Sequence, residues 1–310
     1  MRFFSPKTLL AAFLIASAAA LAQQNAGQAA DQISNSINSN QIPQAVEAAK
    51  AAISQWPKDA ELHHLLGVAY FKGGDAPDAE REMQQALQLG ASSAEAHYDL
   101  ALLYLSEQKY PEAATQLEAS TRLEPQNPLR HILLGRAYLN SNRTVQAIEE
   151  FKRALALDPK VPLGHYHLGF AYESLGKNQQ AISEFDREMA AHPDNPEVLF
   201  QLGHTLLEVG KPQAAAKYLR HSIELQPGRA EAEYDLGKAL LAAKDTQAAI
   251  AALKNAIAID PSDPSSHYQL SRALQASGDS DGAKLELQKF DELKKNQKVE
   301  GGMASGRVVR

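Results

Sequence analysis

The sequence contains no cysteine. That removes disulfide cross-links, thiolate metal sites and thiol nucleophiles together, and also the lipid anchor that needs a cysteine beside a cleavage point. Aromatic residues are scarce at 6%, with a single tryptophan, so the core must rest mainly on aliphatic side chains and alanine. Catalytic signatures are missing as well: there is no HExxH, GxSxG, phosphate-binding glycine loop, EF-hand loop or dinucleotide fingerprint. Basic residues number 31 against 37 acidic ones, a formal net charge of −6. That balance argues against a nucleic-acid partner, whose capture depends on neutralising phosphates.

What is present begins with a leader. Residues 1–22 place Arg2 and Lys7 ahead of an apolar run from Leu9 and close on Ala20, Leu21 and Ala22. A basic start, an apolar stretch and a small-x-small ending read as a secretory signal peptide cleaved after Ala22. The run is interrupted by Ser17 and is shorter than the roughly 20 apolar residues of a membrane span, so no integral span is expected after cleavage. The expected location is the bacterial periplasm or the exterior of the cell.

Downstream, a small residue preceded by leucine recurs every 34 residues, at Gly67, Ala101, Gly135, Gly169, Gly203, Gly237 and Ser271. Twelve residues after each stands an alanine, from Ala79 to Ala283, and four residues beyond that a large apolar group, such as Met83, Phe151 or Leu253. Spacings of three and four place these residues on single helical faces, so each period holds two helices, the alanine letting their axes approach. Gly74, Asn142, Gly176, Gly210 and Gly278 fall between the two helices, where a left-handed residue ends a helix at low cost. Prolines such as Pro125 and Pro159 close the second helix. Asp59, Ser93, Asn127, Asn195 and Asp263 then stand ready to cap the next unit, with Pro128, Pro162, Pro196 and Pro264 at the first helical position.

Leu-Gly, then Tyr, then Ala, then a large apolar residue, then Ala and Pro at these spacings resembles the tetratricopeptide repeat. The resemblance covers seven tandem repeats over residues 59–295. It departs from the family where the usual tryptophan is His63, His97, His131, His165, Leu199, Glu233 or His267, and where Ala91 replaces a closing proline. The fold class it implies is all-α, a right-handed superhelical solenoid of helix-turn-helix repeats whose first helices line a concave surface. Residues 23–58 keep the register through Ala45, Ala52 and Pro57, but residues 26–40 lack the first-helix signature, so a degenerate capping unit is expected there. Residues 296–310, basic and rich in glycine, are expected to form a disordered tail.

On the first helices, positions three before and one after the small residue form a second stripe, four residues apart. It carries Tyr98, Arg136, Tyr166, Phe170, Phe200, His204, Tyr234, Lys238, Tyr268 and Arg272, the candidate ligand-binding groove. Rigid aromatics beside positive donors suit an extended peptide segment of a protein partner, one of acidic character. A terminal-carboxylate clamp is not expected, because Asp99 and Asp235 occupy places where the family's asparagine would fall. The five histidines at one repeat position are expected to pack between repeats, since equivalent side chains in adjacent units stand too far apart to share a metal ion. No cofactor, metal or catalytic residue is assigned. The expected function is a non-catalytic interaction scaffold in envelope assembly or export, the alternative being a glycan-binding component of polysaccharide export.

Overall fold

The computed structural model describes residues 25–91 and 93–305, with side chains described through residue 297. The leader at 1–22 and the last five residues of the expected tail lie outside the described residues. Every described element is an α-helix. The chain divides into two compact units, Met1–Val161 and Pro162–Arg310.

The first unit holds α1 (residues 25–38), α2 (Ile42–Gln55), α3 (Ala60–Lys72), α4 (Ala76–Gln88), α5 (Ala94–Ser106), α6 (Tyr110–Leu123), α7 (Pro128–Asn140) and α8 (Thr144–Leu157). The second holds α9 (Gly164–Ser174), α10 (Asn178–Ala191), α11 (Pro196–Glu208), α12 (Pro212–Leu225), α13 (Ala230–Ala242), α14 (Thr246–Ile259), α15 (Pro264–Ser277) and α16 (Ser280–Ser305). Consecutive helices pair into hairpins, and within each unit each hairpin's second helix packs on the first helix of the next. First helices also touch one another, α3 with α5 in the first unit, and α9 with α11, α11 with α13 and α13 with α15 in the second. Each unit is thus a solenoid with its first helices along one side.

Small-to-large complementarity sets the helix spacing. A Cβ added to Gly67 would come within 2.6 Å of Met83 Cγ, one on Gly203 within 2.7 Å of Leu219 Cγ, and one on Gly169 within 2.7 Å of Phe185 Cε1. Phe151, Phe185 and Leu219 are fully buried in return. The leading hairpin inverts the scheme. Ile33 occupies the small position, Ala49 the large one, and both belong to one core cluster with Leu62 and Leu66. Residues 26–40 lack the Leu-small-Tyr signature, yet Ala26, Ala30, Ile33 and Ile37 are a buried helical stripe whose bulk is exchanged with that of its partner helix.

The hairpin turn repeats as strictly as the core. Asn40, Gly74, Gln108, Asn142, Gly176, Gly210, Lys244 and Gly278 all have positive φ, at 34-residue intervals. The following N–H closes the helix each time, as in Asp75 to the Tyr70 carbonyl at 2.9 Å and Lys109 to the Tyr104 carbonyl at 2.8 Å. Gln108 and Lys244 adopt the left-handed conformation against their own preference, because packing of the two helices dictates the turn. Where Ala91 replaces the closing proline, Gly90 at φ 103° ends α4, and Ala91 N–H bonds the Ala86 carbonyl at 2.9 Å.

Asp59, Ser93, Asn127, Asn195 and Asp263 each accept backbone N–H bonds at their helix starts. Val161 and Arg229 hold the same register position without a capping oxygen. At the first of these, α9 starts only at Gly164 after a left-handed Leu163, so Pro162 precedes the helix and does not open it. Glu188, at a place where every other repeat but the last carries Ala or Ser, supplies the missing acceptor: its buried carboxylate takes the Tyr166 N–H at 3.2 Å. At the far end α16 continues to Ser305, past the Lys295 boundary expected from the sequence. The run after Lys295 has no proline to stop the helix, which carries through Gly301 and Gly302.

Candidate functional site

Five histidines tie each first helix to the second helix of its own hairpin. Nδ1 of His63 faces Glu82 at 2.7 Å, His97 faces Gln116 at 2.7 Å, and His131 faces Glu150 at 2.6 Å. His165 meets Glu184 and His267 meets Glu286, each at 2.7 Å. A clamp within each repeat is thus added to the expected packing between repeats. On the other ring edge, Nε2 of His63 and of His131 reaches the Pro57 and Pro125 carbonyls at 3.1 and 3.0 Å. At His131 the buried ring stands between two acceptors, an arrangement that favours its protonated form. The Glu150 hydrogen bond accordingly raises the His131 pKa against the opposing effect of burial. The signal was in the sequence, a Glu or Gln nineteen residues after each histidine. The repeats with Leu199 and Glu233 have Tyr218 and Ala252 at that place.

In the first unit, Tyr98 is half-buried with the Arg130 guanidinium 5.2 Å from its ring centre, and Arg136 is exposed on α7. Arg130 itself is buried and bonds Glu95 at 2.7 Å and Ser120 at 3.0 Å. Tyr98 is therefore part of a joint between hairpins as much as a surface group.

The second unit carries the rest of the predicted stripe on four adjacent first helices. Tyr166 and Phe170 stack on α9 with ring centres 6.4 Å apart, and Phe170 is 37% exposed. Burial, joined by the nearby Glu197 carboxylate, pushes the Tyr166 hydroxyl up to about 12. Tyr268 on α15 is 42% exposed. Lys238 lies 5.4 Å from the Tyr234 ring centre and shares a hollow of about 310 Å³ with Arg272, Gln269 and Glu208.

Two expectations for this stripe are corrected. Phe200 is only 7% exposed: the Arg229 guanidinium lies 3.7 Å from its ring centre and His204 stacks against it, so the ring is interior. The positive donors are also largely spent on neighbours. His204 Nδ1 bonds Asp235 at 2.7 Å, which raises its pKa, and Lys238 pairs with Glu208 at 3.7 Å. Glu173 takes the Gln201 amide and the Thr205 hydroxyl, and Glu197 takes Arg229 at 2.5 Å. Periodicity could place these acids on the first helices but could not pair them across helices. The surface is therefore charge-compensated, with exposed aromatics at its two ends and Arg272 held, among the described residues, by Gln269 alone at 3.2 Å.

Among the described residues no group of three His, Asp or Glu side chains could hold a metal ion, and no helix is long and apolar enough to cross a membrane. Hairpins in 34-residue register, first helices side by side and paired polar groups between them define a helical repeat scaffold. Tetratricopeptide repeat models match residues 37–94, 65–128 and 200–264, a TPR repeat model matches 135–176, and a further tetratricopeptide repeat model matches 240–301. The chain belongs to the tetratricopeptide repeat family.

Similar solved structures include a tetratricopeptide repeat protein from Parabacteroides merdae, with 16% identity and TM-score 0.58 over 81% of this chain and 99% of that one. MamA from Desulfovibrio magneticus is 23% identical with TM-score 0.53, over 55% of this chain and 96% of its own. YrrB, described as a TPR protein with an unusual peptide-binding site, is 18% identical with TM-score 0.53, over 61% of this chain and 97% of its own. These likenesses concern the fold, which is consistent with a protein–protein interaction scaffold. No curated protein matches the chain.

Proposed function

We propose that this protein is an exported, non-catalytic scaffold that binds an extended segment of a partner protein along the first helices of its second unit, in the assembly or export machinery of the cell envelope. The observation that carries the reading is the surface bounded by exposed Phe170 and Tyr268, with Tyr234 and the hollow of Lys238, Gln269 and Arg272 between them. Exposed aromatics supply contact area at low entropic cost, and polar groups already held by neighbours lose little freedom on binding. Compensated charge makes the expected segment mixed in character and not strongly acidic. The peptide-binding site ascribed to YrrB supports the ligand class, and the composition of residues 1–22 supports export.

The test replaces Phe170, Tyr234 and Tyr268 together by alanine, all outside the tight core, and follows partner capture by crosslinking in the native envelope. Capture should fall at least tenfold while helical circular dichroism is unchanged. Undiminished capture would refute the assignment of this face, and competition by envelope polysaccharide but not by peptides would transfer it to a glycan.

A further inference from the structure

A second surface feature lies in the first unit, on its second helices. A hollow of about 630 Å³ opens between α6 and α8 above α7, within the size range of sites that enclose small ligands or a few peptide side chains. Its floor is apolar, formed by Leu134, the Tyr138 ring and Leu157, the last 36% exposed. Its rim holds Arg122, Arg143 and Arg153.

The two acids in the hollow are already occupied. Glu118 accepts the Tyr138 hydroxyl at 2.7 Å and Arg143 at 3.3 Å, while Glu150 accepts Arg153 at 2.6 Å and faces His131. Three guanidiniums thus outweigh two carboxylates, and Arg122 has no acidic partner among the described residues. This local excess of positive charge stands out in a chain of net charge −6.

The repeat scaffold does not require it. One period upstream the places of Arg122, Arg143 and Arg153 hold Gln88, Lys109 and Ala119, and two periods downstream they hold Ala190, Lys211 and His221. No other repeat carries three arginines there. Planar guanidiniums match carboxylates in bidentate geometry, and an adjacent apolar floor wants a side chain to cover it. Inorganic phosphate would satisfy the rim and leave the floor wet.

We infer that this hollow is a binding site for an acidic peptide segment of a protein partner, a carboxylate engaging Arg122 and Arg153 while a neighbouring apolar side chain covers Leu134 and Leu157. The site is separate from the first-helix surface of the second unit and does not depend on it.

The experiment pans a random hexapeptide library on the full-length protein and, in parallel, on the Arg122→Ala/Arg153→Ala variant. Arg122 is exposed and without an acidic partner among the described residues, so its removal leaves packing intact, and circular dichroism verifies the double variant. Only the wild type should enrich sequences with Glu or Asp beside Leu or Phe. A fluorescein-labelled peptide from that pool should bind about tenfold more weakly to Arg122→Ala, the loss of one charge-assisted hydrogen bond, and with unchanged affinity to Phe170→Ala/Tyr268→Ala. The inference is overturned by identical pools from wild type and variant, by equal binding of the Gln-substituted peptide, or by phosphate displacing the probe as well as unlabelled peptide does.

Discussion

Replacing Gly135 by alanine should destabilise the first unit, and the same replacement should become stabilising when Phe151 is first changed to leucine. The added Cβ would sit 2.7 Å from Phe151 Cδ1 and 2.9 Å from Cζ, on a ring with no exposed surface. Overpacking of this kind costs about 1–3 kcal/mol. Against it, alanine improves helix propensity over glycine by about 1 kcal/mol. The net is a loss of roughly 1 kcal/mol, and less than the clash alone. In the Phe151→Leu background the pair becomes the Ala101 and Leu117 combination that the preceding hairpin already buries completely, so only the propensity gain remains. Denaturant unfolding followed by circular dichroism at 222 nm, fitted with separate repeat and interface terms because stacked repeats depart from two-state behaviour, gives all four corners of the cycle. A coupling of about 1–2 kcal/mol is expected. Additivity within about 0.5 kcal/mol would refute small-to-large complementarity as the source of the glycine.

Two further outcomes follow from local geometry. His131 and His204 have folded-state pKa values raised above the unfolded value of about 6.5 by their carboxylate partners. Their stabilisation is therefore complete below about pH 6.5 and is lost as pH rises through the folded pKa. The gap in melting temperature between wild type and His131→Gln, or His204→Gln, should be wider at pH 6 than at pH 8.5; a gap that widens toward alkaline pH would contradict the clamp. Gln108 and Lys244 are exposed residues in left-handed turns, so changing either to glycine should raise stability by about 1 kcal/mol, read as a higher unfolding midpoint. A lower midpoint would mean that their side chains, and not the turn, hold the hairpin.

The sequence by itself determined the repeat. A 34-residue period in small, large and capping residues leaves little choice of helix placement, because each signal comes from one short stretch of chain and its local geometry. The turn at Gly74 and the cap at Asn127 are both of this kind. Tertiary structure decided what depends on pairs of side chains from different helices. Ile33 and Ala49 make sense only together, since either alone breaks the pattern that the pair preserves. Glu188 becomes a helix cap only where α10 meets the start of α9. Phe200 looks like a ligand-facing aromatic until Arg229 covers it, and the basic residues of the stripe look free until Asp235 and Glu208 reach them from the adjacent first helix. The hollow rimmed by Arg122, Arg143 and Arg153 gathers residues from two helices and a turn that no single helical face connects. Periodicity fixes where a side chain starts, but the neighbouring helix decides whether its charge and surface are left for a partner.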